Sequence, residues 1–191
     1  MNILIIPEDF RNDQYMLGPL FSGLMDLCGK PNANVRVCLD PLLGGVTEAM
    51  KPERLDEIVA RYDGMVDIYI LCVDRDGLQG RKTALENLES RYAVGRNFFC
   101  VAAIEEIEAW LLAAHDLPND WRWQDIRSDV SVKENYYDEF AKAQRVQFSP
   151  GQGRRILGRD MRPRAARVVQ RCAEELNPLL EKLREVVGVQ A

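Results

Sequence analysis

A chain of 191 residues with 47% hydrophobic content and a formal net charge of −5 can bury a full core, and it fits one domain plus an extension better than two equal domains. That composition excludes fibrous and disordered classes, and the longest apolar runs are too short to span a membrane. Met1–Pro7 lacks the basic flank of a secretory signal, and the scattered cysteines Cys28, Cys38, Cys72, Cys100 and Cys172 include no Cys-x-x-Cys pair. A cytoplasmic protein with no membrane partner and with reduced core thiols is therefore expected.

Asn2-Ile3-Leu4-Ile5-Ile6 is a buried-strand candidate, stopped by Pro7 and followed at once by Glu8 and Asp9. Asn12 to Gly29 has the apolar rhythm of a helix, with a break or kink expected at Pro19. Val35–Leu39 is a short second strand, and Pro52 to Tyr62 is a helix that carries Leu55, Ile58 and Val59 on one face. The apolar run Val66–Val73 reads as a buried central strand. A charged helix over about 81–92, a fourth strand over Phe98–Ala103 and a helix including Ile104–Ala114 follow. Alternation of this kind predicts a mostly parallel sheet with helices on both faces.

The central strand ends in Val73-Asp74-Arg75-Asp76-Gly77, which places two carboxylates at the sheet edge where open α/β folds bind ligands. Asp-x-Asp suits a hard divalent cation, because the cation relieves the repulsion between the two groups. Asp74-Arg75-Asp76-Gly77 also makes an ordinary solvated turn. Glu8 follows the first strand as Asp74 and Asp76 follow the third, so the two acidic sites are neighbours in any compact winding of the sheet.

Ile6-Pro7-Glu8-Asp9-Phe10, Val73-Asp74-Arg75-Asp76-Gly77 and Ile104-Glu105-Glu106-Ile107-Glu108-Ala109-Trp110 resemble the TOPRIM domain of topoisomerases, primases and overcoming-lysogenisation-defect (OLD) nucleases. They are most similar to the small stand-alone TOPRIM-like proteins found beside ATPases in bacterial phage-defence loci. The resemblance covers about residues 1–115 and implies a four-stranded, TOPRIM-like (Rossmannoid) α/β domain, leaving 116–191 as a helical extension. It implies Glu8, Asp74 and Asp76 as catalytic residues and as ligands for Mg²⁺ (or Mn²⁺), a nuclease activity, and nucleic acid and an ATPase as partners; a homo-oligomer is left open. Asp9 stands where many TOPRIM domains have glycine. No topoisomerase tyrosine and no primase zinc motif can be placed.

In a helix over Ile104–Ala114, Glu108 falls on the buried stripe of Ile104, Ile107, Leu111 and Ala114, with Glu105 and Glu106 pointing further outward. A carboxylate on an apolar face needs a partner. A structural ion pair with an arginine stands beside a catalytic role supporting the metal, and the resemblance favours the latter, with Glu106 as a lesser candidate. Trp110 reads as packing, and His115 as structural or solvated.

Beyond a linker at Ser149-Pro150-Gly151-Gln152-Gly153, seven arginines (Arg154, Arg155, Arg159, Arg162, Arg164, Arg167 and Arg171) are opposed only by Asp160 before residue 172. Such a tract suits phosphate contact, with Arg154 and Arg155 foremost; otherwise it is a solvated helix face, or a docking surface for the acidic remainder or a partner. Ala165 to Val187 reads as a final helix interrupted near Pro178. Three functions compete: a metal-dependent TOPRIM-type nuclease, a haloacid-dehalogenase-style phosphatase using Asp-x-Asp-Gly, and a non-catalytic binding or regulatory subunit.

Overall fold

The computed structural model describes residues 1–75 and 78–188. Strands β1 (Asn2–Pro7), β2 (Asn34–Val37), β3 (Ile68–Asp74) and β4 (Asn97–Ala103) form one parallel sheet in the order β2-β1-β3-β4. The expected α/β class and four-stranded parallel sheet are therefore present. β3 lies in the interior of the sheet, and from Ile68 to Val73 it is buried without interruption. That accounts for its unbroken apolar sequence, since alternate residues feed two different cores.

One core lies between the sheet face of Ile3, Ile5, Ile68, Ile70 and Cys72 and the helices α1 (Phe10–Leu27) and α5 (Glu108–Ala114), with the C-terminal elements behind them. The other lies between Leu4, Ile6, Tyr69, Leu71 and Val73 and the helices α2 (Val46–Ala49), α3 (Pro52–Arg61) and α4 (Gln79–Tyr92). Residues after α5 form α6 (Trp123–Ile126), a π-helical turn (Lys133–Tyr137) leading into α7 (Asp138–Ala143), α8 (Arg154–Leu157) with a 3₁₀ turn (Gly158–Met161), α9 (Ala165–Arg171) and α10 (Ala173–Val187). They supply Leu157, Met161, Val168, Leu176 and Leu183 to the first core. All five cysteines are free, and no helix among the described residues is long and apolar enough to cross a membrane.

Three boundaries differ from the sequence expectation. α1 runs unbroken through Pro19. Proline removes the N–H that the Tyr15 carbonyl would have accepted, and at that carbonyl Gly158 makes a very close approach; a Cβ on Gly158 would lie 2.0 Å from Tyr15 O. α5 starts at Glu108, not Ile104. The Ile107 N–H donates to Asp74 Oδ1 at 2.8 Å, and the Glu106 carboxylate accepts from Lys133 N–H at 2.7 Å, so the preceding turn is shaped by tertiary bonds. Glu105 accordingly points inward at 3% exposure, and Glu106 is half-buried. The last helix breaks at Cys172, not at Pro178, which lies within α10.

The free edge of β4 is closed by α4 and α10. Glu89 accepts from Cys100 N–H at 2.7 Å and is itself held by Lys182, which removes an exposed donor from an edge strand.

Candidate functional site

The register Ile6↔Leu71 and Pro7↔Cys72 carries Glu8 to the same end of the sheet as Asp74. There the Asp74 N–H donates to Glu8 Oε2 at 3.2 Å. Asp74 is the last residue of β3 and lies opposite Ala103 of β4; its Oδ1 is fixed by Ile107 N–H, and its carbonyl accepts from the Arg81 guanidinium of α4. Asp76, expected as the second aspartate of the pair, lies outside the described residues.

Asp9 is the N-cap of α1. Its carboxylate accepts from Arg11 N–H at 2.9 Å, while its own N–H donates to Asp13 Oδ2 at 3.0 Å. This reciprocal capping satisfies two backbone donors at the helix start. It also draws Asp13 inward to 7% exposure. Sequence reasoning missed Asp13 as a site residue. Its signal was a second carboxylate one turn after Asp9, which in sequence is indistinguishable from a solvated helix-start acid.

Four carboxylates from the ends of β1 and β3 and the starts of α1 and α5 therefore share one electrostatic neighbourhood. Burial pushes Asp13 up to about 8, with the Glu108, Asp9 and Glu8 charges adding to the rise against the Asp9 N–H bond. Burial likewise raises Asp74 well above the carboxylate range, reinforced by Glu8, Glu108 and Asp13. The Glu8 and Glu108 charges thus disfavour ionisation of both Asp13 and Asp74, as like charges in one site do. All the donors are hard oxygens, a set that fits Mg²⁺ or Mn²⁺ in kind. Among the described residues, no three His, Cys, Asp or Glu side chains form a metal-holding group.

Glu108 is 5% exposed and pairs with Arg154, whose Nε lies 3.1 Å from Glu108 Oε1 and whose Nη2 reaches the same oxygen. The ion pair foreseen as an alternative for Glu108 is thus what the geometry contains. Arg154 is not the surface phosphate contact expected of it. It is 1% exposed, donates to Gly151 O and Gln152 Oε1, and lies 4.5 Å over the Tyr137 ring. A guanidinium is expelled from water only where its donors are matched, and here the turn before α8 closes around it.

Most of the remaining basic tract is also used internally. Arg164 donates to Ala114 O at 2.9 Å, Arg167 to His115 O at 2.9 Å and to Asp116, and Arg171 to His115 O at 3.3 Å. These bonds satisfy carbonyls orphaned at the C-terminus of α5 and set positive charge at the negative end of that helix. Arg162 pairs with Asp26 of α1. Arg155 and Arg159 remain exposed, with no side-chain partner among the described residues. His115 is buried and neutral by preference, since burial lowers its pKa; its Nε2 lies 3.1 Å from Leu157 O. Trp110 is fully buried and donates to Glu175 at 3.1 Å, in keeping with packing.

No protein-family model and no curated protein matches the chain. One similar solved structure is the C-terminal region of the OLD protein of Xanthomonas campestris pv. campestris, with 13% identity, coverage of 98% of this chain and 96% of that chain, and a TM-score of 0.42.

Proposed function

We propose that this chain is a metal-dependent phosphodiesterase of nuclease type with a TOPRIM-like fold, acting with an ATPase partner in defence against phage or other foreign nucleic acid. The observation that carries the reading is the union of Glu8 and Asp74 on adjacent strand ends beside the buried carboxylates of Asp13 and Glu108, a setting that raises the pKa of Asp13 and Asp74. Such a set is stabilised when a divalent cation replaces the missing positive charge. Glu8, Asp74 and Asp76 are the residues that would hold Mg²⁺ or Mn²⁺, with Asp13 beside them and Glu108 supporting. A bound cation supplies Lewis-acid charge at a phosphoryl group.

The chain's own residues do the rest. Arg154 holds Glu108 in one orientation and limits the negative charge of the cluster. Asp13 accepts from Asp9 N–H at Oδ2, so at neutral pH a proton on this carboxyl resides at Oδ1, beside the cluster. Arg81 and Ile107 fix the main chain and the carboxylate of Asp74. This rigidity is what positions a phosphodiester for attack.

One observation favours a second reading, a non-catalytic binding or regulatory subunit: Glu108 is already neutralised by Arg154. A haloacid-dehalogenase-style phosphatase needs Asp74 as a nucleophile, yet Asp74 Oδ1 is bound to Ile107 N–H and burial favours its protonated form. The test is cleavage of labelled DNA and RNA with Mn²⁺ by wild type and Glu8→Gln. Metal-dependent cleavage lost in the variant is the expected result; cleavage unaffected by the variant, or by a chelator, contradicts the reading.

A further inference from the structure

The turn between α7 and α8 displays a side chain that the fold does not use. Phe148 is 95% exposed, more than any other large apolar residue described. The turn that carries it is braced. Ser149 donates to Val146 O through both N–H (2.8 Å) and Oγ (2.7 Å), and Gly153 N–H donates to Ser149 O at 3.2 Å. Tyr137 OH donates to Gln152 O at 2.8 Å. Gly151, at φ 65°, packs so closely on Tyr15 that a Cβ there would lie 2.6 Å from the ring. The exposed ring is thus carried on a backbone turn fixed by these bonds.

The same bracing ties the ring to the carboxylate cluster. Arg154, which holds Gly151 O, also holds Glu108, and Tyr15 lies two residues beyond Asp13 on α1. Three residues of chain span at most about 11 Å, so Phe148 is carried by the same short turn that closes around Arg154. Arg145, Arg155 and Arg159 flank the ring in sequence, are exposed, and have no carboxylate partner among the described residues.

We propose that Phe148 is a base-stacking platform for single-stranded nucleic acid, displayed on the turn that closes around Arg154, with Arg145, Arg155 and Arg159 on the backbone phosphates. Stacking requires a free π-face, which an unpaired base offers and a base inside a duplex does not. Arginine forks match phosphate oxygens. The inference deepens the phosphodiesterase reading by naming its substrate class and rests on that reading for the role of the site.

The test is fluorescence anisotropy of the full chain with a labelled DNA oligonucleotide, its RNA counterpart and the corresponding blunt duplex, all in chelator so that no hydrolysis occurs. Phe148→Ala is expected to weaken single-strand binding about 5- to 150-fold and to leave the weaker duplex binding unchanged. Phe148→Trp retains affinity, and its added emission is quenched by the single strand. Arg155→Ala lowers affinity and reduces the salt slope by about one ion. An unchanged melting temperature shows that the exposed substitutions leave the fold intact. Equal affinity of wild type and Phe148→Ala, or no single-strand binding by wild type, overturns the proposal. Binding that depends on Phe148 in a protein that never cleaves with metal upholds stacking and removes only the hydrolytic reading; cleavage indifferent to Phe148 does the reverse.

Discussion

Glu8 and Asp74 are 66 residues apart in sequence and are joined by a hydrogen bond from the Asp74 N–H to Glu8 Oε2 at 3.2 Å. The bond exists because β1 and β3 are nearest neighbours in the sheet, and it brings one carboxylate toward another that burial already discourages from ionising. A glutamine at position 8 keeps the acceptor and removes the charge. Glu8→Gln is therefore predicted to raise metal-free stability by on the order of 1 kcal/mol while abolishing any stabilisation by Mn²⁺. Urea unfolding with and without Mn²⁺ measures both effects. A variant less stable than wild type in chelator contradicts the prediction.

The buried pair of Glu108 and Arg154 has a different signature. Arg154→Ala leaves a carboxylate in the core without its counter-ion and is expected to cost about 3–5 kcal/mol. Adding Glu108→Gln to that variant recovers much of the loss. A double-mutant cycle followed by denaturant midpoint gives the coupling; additive losses would show that the two side chains do not depend on each other.

Glu105 supplies the pH dependence. Burial, reinforced by Glu175 and Glu174 and opposed by Arg127 at 3.4 Å, raises its carboxyl from the ordinary 4.5 to about 7. The folded state thus binds this proton more tightly than the unfolded chain. Its stabilising contribution is complete below about pH 4.5 and is lost as pH rises through about 7, following the linkage relation. Glu105→Gln is expected to flatten the stability profile across that window, by on the order of a few kcal/mol in total. Denaturant midpoints from acid to neutral pH check it, and parallel profiles for the two proteins would contradict it.

Two glycines are predicted to respond with opposite sign. A Cβ on Gly158 meets Tyr15 O at 2.0 Å, and backbone is slow to yield, so Gly158→Ala should destabilise by about 1–3 kcal/mol as overpacked sites do. Nothing lies within 4 Å of a Cβ on Gly80 in α4, and alanine there should stabilise by up to about 1 kcal/mol. Thermal melts of the two single variants give both signs.

The strands were legible because a buried parallel strand writes its identity in consecutive apolar residues, and Glu8 and Asp74 stood out as charges that end such runs. Asp13 was not legible, because only the turn of α1 against β1 separates it from a solvated acid. The arginine tract was misjudged at Arg154 because its carboxylate partner Glu108 lies 46 residues away. The start of α5 moved for a similar reason: Asp74 and Glu106 take part in backbone bonds that local sequence cannot anticipate. The continuity of α1 through Pro19 was equally hidden, since the residue that approaches the Tyr15 carbonyl is Gly158, 139 residues after that proline.

The measurement that bears most directly on the central claim is calorimetric titration of wild type and Asp74→Ala/Asp76→Ala with Mg²⁺ and with Mn²⁺, followed by nucleic-acid cleavage on the same samples. Saturable binding by wild type that is absent in the double variant is the predicted result, and cleavage should track it. No binding by either protein at millimolar metal, or equal binding by both, would contradict the account and leave the paired aspartates as a turn.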